Sequence, residues 1–248
     1  MELTMSAKKA KKSSTEGTSI HIPNFTLKKI EAKTSNQQET FNAYVEGLNL
    51  LLHGAAGSGK SFISTWLALR DVFAGKYHKL IIIRSIVSSR SPGFLPGNVV
   101  EKSSVYEGPY KAICSELFGR GDAYDILKQK GCIEFQTTSF LRGLTFDNCV
   151  VLVDEIQNMN YEESRTVITR AGINCKFIFA GDFYQNDLYR NRNDVSGIEE
   201  FMDVVDLMES FELIEFGPED IVRSGICKEF ILSEIKLAKF DTSVASSI

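Results

Sequence analysis

The chain has 248 residues, which suits one domain or one domain with appendages. Hydrophobic residues make up 43% and charged residues 24%, enough apolar material to fold most of the chain around a substantial core. A formal net charge of -4 excludes a wholesale basic coat for nucleic acid. The charge is uneven, however. Ten acidic residues and no Lys or Arg lie between Asn193 and Val222, so the remainder holds 28 basic against 22 acidic residues and allows a basic face. Five scattered cysteines without a C-x-x-C read as reduced thiols in a cytoplasmic compartment. Three distant histidines give no zinc spacing. No apolar run reaches membrane-spanning length, and the Lys-rich start lacks the apolar stretch of a secretory signal.

Residues 1–19 are polar, with Lys8, Lys9, Lys11 and Lys12, and read as a disordered basic arm. Residues 20–240 read as one domain, and 241–248 as a flexible tail. Strand-like apolar runs are Asn49–His53, Leu80–Arg84, Ile133–Gln136, Cys149–Val153, Lys176–Ala180 and Glu212–Phe216. Several are apolar throughout, as expected for strands covered on both faces. Helical patterns fill the gaps at Ser61–Ala74, Tyr161–Ala171, Gly197–Glu209 and about Ser224 to Lys239. Asn160 with Glu163, and Ser196 with Glu199, supply capping boxes. Strands alternating with helices predict an α/β fold with a mostly parallel central sheet flanked by helices.

The segment Gly54-Ala55-Ala56-Gly57-Ser58-Gly59-Lys60-Ser61 matches G-x-x-x-x-G-K-[ST] in full. A strand precedes it and a helix follows, the context of a P-loop. Its glycines let the backbone fold around a phosphate with N–H groups pointing inward, and the helix N-terminus adds partial positive charge. Lys60 is placed for the β/γ-phosphates and Ser61 for Mg²⁺. Downstream, the apolar run Cys149–Val153 ends in Asp154-Glu155, a Walker B pattern. Asp154 would hold Mg²⁺, and Glu155 would orient and polarise the attacking water. A third apolar strand ends in Gly181-Asp182, with Gln185 three residues on, a neutral amide able to sense a γ-phosphate. A polar loop with Asx turns fits that last segment equally well. The run Leu80–Arg84 lies between the two Walker motifs, which permits the RecA-like order with an extra strand between the Walker strands.

Taken in order, these motifs resemble the PhoH family, phosphate-starvation-type ATPases related to the N-terminal RecA-like domain of superfamily 1 helicases. Carrying residues are Lys33-Thr34-Ser35-Asn36-Gln37, the Walker A loop, Arg84-Ser85-Ile86-Val87 and Gly93-Phe94-Leu95-Pro96-Gly97. Phe140-Leu141-Arg142-Gly143, Asp154-Glu155-Ile156-Gln157-Asn158, Thr169-Arg170-Ala171-Gly172 and Gly181-Asp182 with Gln185 and Asp187 continue the match. Ser196-Gly197 and Asp220-Ile221-Val222-Arg223-Ser224 complete it. Ser85 stands where the family usually has Pro, and Ile156 where it usually has Ala. No fused nuclease domain of the kind carried by some relatives is expected.

The resemblance implies a three-layer RecA-like P-loop NTPase that uses ATP and Mg²⁺. It implies that Gln37, with Asn36, reads adenine, although residues 33–37 alone read better as a polar linker ahead of a helix. It implies that Gln157 couples nucleotide state to movement, and that loops carrying Arg84, Arg90 and Arg142 meet a nucleic-acid backbone. Arg223, and Arg170 as a helper, are candidate arginine fingers, acting within the domain or across a homo-oligomer, which the family makes a hexameric ring. The expected function is a nucleic-acid-stimulated ATPase, a helicase or translocase on single strands, RNA in preference to DNA. The alternative is an ATP-driven oligomeric switch acting on a protein partner. A phosphotransferase with a small acceptor fits Glu155, Gln157 and Gln185 less well.

Overall fold

The six apolar runs become six strands: β1 (Asn49–Gly54), β2 (Lys79–Arg84), β3 (Ile133–Thr137), β4 (Cys149–Asp154), β5 (Cys175–Ala180) and β6 (Phe211–Phe216). All neighbours pair in parallel, in the order β3-β2-β4-β5-β1-β6. The computed structural model describes residues 22–23, 25–85, 99–141, 143–182 and 197–245. All six residues of β4 are buried, as an inner parallel strand with both faces covered requires.

Seven helices complete the described fold: α1 (Ser35–Glu46), α2 (Lys60–Phe73), α3 (Val99–Phe118), α4 (Ala123–Gln129), α5 (Tyr161–Ile168), α6 (Ile198–Asp206) and α7 (Gly225–Ala245). Alternate residues of each strand point to opposite faces, and the two faces bury separate cores. Leu50 and Leu52, Ile82, Leu152 and Ile178 pack with residues of α1, α2, α3 and α4. Leu51, Ile83, Val151, Val153 and Phe179 pack with α5 and α6, where Ile198, Phe201 and Val205 are buried and Met202 packs against them. The result is the expected three-layer α/β arrangement.

Three expectations need correction. The strand standing between the two Walker strands is β5, bonded to β4 on one side and β1 on the other. The run Leu80–Arg84, nearer in sequence, lies outside β4. Sequence adjacency misleads here because a right-handed crossover can skip a position in the sheet. Helix α5 stops at Ile168 rather than Ala171, since Arg170 N–H and Ala171 N–H bond three residues back and tighten the last turn. Helix α7 continues to Ala245, past the expected end and through most of the expected tail. Ser196, expected to cap α6, lies outside the described residues, as do the basic arm, Arg90 and Arg142. No helix among the described residues is long and apolar enough to cross a membrane.

Candidate nucleotide site

The carboxyl ends of β1, β4 and β5 converge where α2 begins. Gly54, Gly57 and Gly59 all have positive φ (109°, 74° and 87°), the left-handed region that a side chain disfavours. At Gly54 a Cβ would also stand 2.2 Å from the Phe216 carbonyl oxygen, which accepts from Ala55 N–H. The P-loop is thus wedged against β6. Two further ties hold it: Val222 N–H donates to Gly57 O, and the buried Gln37 amide donates to Ser58 O at 2.8 Å. Gln37 Oε1 in turn accepts from Lys33 N–H at 2.8 Å. Thr34 caps α1, which therefore begins inside the 33–37 segment. Gln37, expected to read adenine, is thus brought against the P-loop. Asn36 instead bonds Glu215 O and the buried Asp220 carboxylate.

Lys60 is 8% exposed and donates to Gly54 O and Ala55 O, both at 2.8 Å, and to Ser58 Oγ at 3.2 Å. Burial holds its ammonium below the ordinary value, against the pull of Asp182, Asp154, Glu155 and Asp220. Ser61 Oγ donates to Asp154 Oδ1 at 2.9 Å, so the two expected metal ligands from separate motifs meet. These are hard oxygen donors of the kind Mg²⁺ takes. Among the described residues no three His, Cys, Asp or Glu side chains gather into a metal cage. The donor set, one hydroxyl and one carboxylate, fits Mg²⁺ held with water and the phosphates of ATP.

Glu155 adopts φ 57°, an uncommon left-handed conformation for a glutamate. Its Oε2 accepts from Gln157 Nε2 at 2.6 Å, and its Oε1 lies 3.3 Å from Arg84 Nη2. Burial, then the Asp154 charge beside it, raises its carboxyl above the usual range, while Arg84, Gln157 and Lys60 oppose. Gln157 Oε1 accepts from Asp182 N–H at 3.0 Å, so one amide links the ends of β4 and β5. Close approach at Gly181 makes this possible, since a Cβ there would stand 2.5 Å from Gln157 Oε1.

The two candidate arginines part company. Arg223 is exposed, but its Cγ lies 2.9 Å from where a Gly57 Cβ would stand, against its own P-loop. Arg170 lies at the opposite end of the sheet, where its carbonyl accepts from Phe146 N–H just ahead of β4. Gln185 lies outside the described residues. Tyr110, on α3, was missed by sequence reasoning; its hydroxyl donates to Asp154 Oδ2 at 2.8 Å. No motif spacing marks it, because the contact spans 44 residues.

Compared with known proteins, residues 29–233 match the model of the family described as PhoH-like protein. The chain is 32% identical to Protein PhoH of Escherichia coli (strain K12) over 177 residues, 71% of this chain and 49% of that protein. It is 30% identical to the PhoH-like protein of Bacillus subtilis (strain 168) over 205 residues, 82% of this chain and 63% of that protein. The chain therefore spans about half the length of the first relative and under two thirds of the second. Among solved structures, the Sulfolobus solfataricus SWI2/SNF2 ATPase core in complex with dsDNA matches with a TM-score of 0.44 at 12% identity, over 78% of this chain and 46% of that one. The Pif1 helicase from Candida albicans gives 0.38 at 13% identity, over 76% and 40%. The family match begins before α1, takes in every strand and every P-loop and Walker B residue described above, and ends inside α7; the chain belongs to the PhoH family.

Proposed function

We propose that this chain is an Mg²⁺-dependent ATPase that works on single-stranded nucleic acid, RNA in preference to DNA. The observation that carries this reading is the meeting of Lys60 and Ser61 with Asp154 and Glu155 at one end of the sheet. Bound ATP would supply the transferable γ-phosphoryl group, and Mg²⁺ would offset its charge. Lys60 exchanges its P-loop carbonyls for phosphate oxygens. The loop N–H groups and the start of α2 add donors of fixed direction. Ser61 and Asp154 hold the metal. Glu155 orients a water and takes its proton, and the raised carboxyl pKa suits a base of this kind. Gln157 carries a change at Glu155 to the Asp182 backbone and thence to the segment bearing Gln185, which we assign to γ-phosphate sensing. Gln37 reads adenine from an amide already fixed at both ends, since the amide group has a second hydrogen and a second lone pair.

Arg223 is assigned to the nucleotide of its own subunit, because its stem already lies on its own P-loop. Arg170, at the far end, is assigned to a neighbour in a head-to-tail hexameric ring, the kind of assembly that a heterologous contact gives when its rotation closes. Support for nucleic acid comes from family membership and from Arg84, part-exposed at the end of β2. ATP hydrolysis measured alone and with single-stranded RNA, single-stranded DNA or duplex tests the reading. Single-stranded RNA is expected to raise the rate severalfold. No turnover under any condition overturns the ATPase. Turnover indifferent to every nucleic acid moves the protein to the alternative, a switch acting on a protein partner.

A further inference from the structure

Asp154 is held from two sides. Its Oδ1 accepts from Ser61 Oγ at 2.9 Å, and its Oδ2 from the Tyr110 hydroxyl at 2.8 Å. Tyr110 is fully buried and packs with Cys114 and Leu117 of its own helix in the core. Its ring centroid lies 6.0 Å from that of Phe135 on β3, tilted by 49°. The phenol is therefore fixed by packing before it meets the carboxylate. One helical turn earlier, Tyr106 places its ring 5.8 Å from the Arg84 guanidinium, and Arg84 is the residue paired with Glu155. Positions four apart share a helix face, so one face of α3 touches Asp154 directly and the partner of Glu155, Arg84, beside it.

We propose that Tyr110 is a positioning residue of the metal-binding carboxylate. The two oxygens of a carboxylate are equivalent, but its plane can turn about the last bond. An O–H donor on Oδ2 fixes that plane and so holds Oδ1 toward Ser61 and the metal. The hydroxyl never touches nucleotide; it acts through Asp154. The inference rests on the proposed use of Asp154 as an Mg²⁺ ligand, while the contact itself does not.

Two measurements separate these layers. The first needs no nucleotide: melting temperatures of wild type, Tyr110→Phe, Asp154→Ala and the double variant. Tyr110→Phe keeps the ring and orphans Oδ2, so it lowers the melting temperature. In the Asp154→Ala background the hydroxyl is itself orphaned, so the same change raises the melting temperature or leaves it level. An equal change in both backgrounds overturns the contact, and the double variant keeps the cycle readable if Tyr110→Phe folds poorly. The second is binding of a fluorescent ATP analogue across an Mg²⁺ titration. In Tyr110→Phe the Mg²⁺ midpoint is expected to move severalfold upward, with binding in EDTA unchanged. Phe135→Leu, which loosens the ring and keeps the hydroxyl, is expected to leave the midpoint in place. A wild-type midpoint retained in Tyr110→Phe, or an equal shift in Phe135→Leu, overturns positioning by the hydroxyl. Absence of any Mg²⁺ dependence in wild type defeats the ATPase reading instead.

Discussion

Two lysines are buried at opposite ends of the sheet, and they are used differently. Lys60, 8% exposed, sits at the carboxyl end, donates to P-loop atoms and lies 5.8 Å from the Phe216 ring centre. Lys176, 5% exposed, is the second residue of β5 near the amino end; it donates to Tyr44 O at 2.9 Å and lies 4.1 Å from the Tyr44 ring centre. Burial lowers the pKa of both. Four carboxylates act against that shift at Lys60. At Lys176 the single carboxylate Asp71 is opposed by Lys76 and Arg70. Lys176 closes the end of α1 and has no reason to let go. Lys60 sits on carbonyls that an anion can replace, among acids that favour its charged form.

Backbone strain divides the same way. At the amino end the left-handed residues other than glycine are Asn148 and Asn174, whose amides bond each other at 3.2 Å. Asparagine tolerates that conformation through short local bonds. At the carboxyl end, glycines again aside, the left-handed residue among those described is Glu155. A glutamate held there costs about 1–3 kcal/mol. The fold places its uncomfortable residues where the chemistry is proposed and settles its comfortable ones at the other end.

The largest expected effect tests this division directly. Lys60→Ala should cut ATP turnover by about 10²–10³-fold or more and weaken nucleotide binding sharply, as loss of one aimed donor does. Asn174→Ala should cost about 1–2 kcal/mol in denaturant stability while turnover per folded molecule is unchanged. Near-normal turnover in Lys60→Ala, or lost turnover in folded Asn174→Ala, breaks the comparison. Next comes Glu155→Gln. The amide keeps the shape and the strain but takes no proton, so turnover should fall by about 10²–10⁴-fold with ATP binding nearly intact. Binding lost along with turnover would make Glu155 a structural residue.

A smaller effect sharpens the placement of the arginines. Lys60→Ala subunits mixed with Arg170→Ala subunits should recover part of the activity, because each mixed ring holds some interfaces with one intact site. The mixture with Arg223→Ala should not, since each subunit's Arg223 serves its own loop. Rescue by Arg223→Ala instead would reverse the assignment, and no rescue in either mixture would argue against any shared site.

Much of this was legible in the residues. Each of the six strand runs falls within an observed strand: the inner strands β1, β2, β4 and β5 are written in nearly continuous apolar residues, and the edge strands β3 and β6 in apolar residues mixed with polar ones. The Walker motifs were legible because glycine, lysine and acid spacing is local. Helix α1 was not, because its buried face is made of Gln37, Thr40, Ala43 and Tyr44, half of it polar. Helix α3 was hidden by Gly108 and Pro109 within it, which read as breakers and are outweighed by packing. Tyr110 was invisible for the same reason, and Gln37's bond to Ser58 because no spacing encodes a contact between a helix and a distant loop. What escaped was contact made by tertiary packing.

The smallest expected effect concerns Lys176, and it leaves activity alone. Burial pushes its pKa down from 10.5 to about 8. Below pH 8 folded and unfolded chains both carry the proton, and the cost of the buried charge is present in full. Between about 8 and 10.5 the folded chain has shed the proton while the unfolded chain keeps it. The unfolded state then binds more protons, so stability rises with pH across that window. The gain is at most about 1.4 kcal/mol per pH unit. Lys176→Met lacks the titrating group and also lacks the bond to Tyr44 O. Urea midpoints of the two proteins at pH 7.5, 8.5 and 9.5 should therefore diverge in favour of wild type as pH rises, whatever their order at pH 7.5. Turnover per folded molecule at pH 7.5 should match. A difference that stays flat with pH would mean that Lys176 is not held as a buried, destabilised cation. A loss of turnover would show that the amino end of the sheet reaches the nucleotide site after all, and the contrast between the two lysines would fail with it.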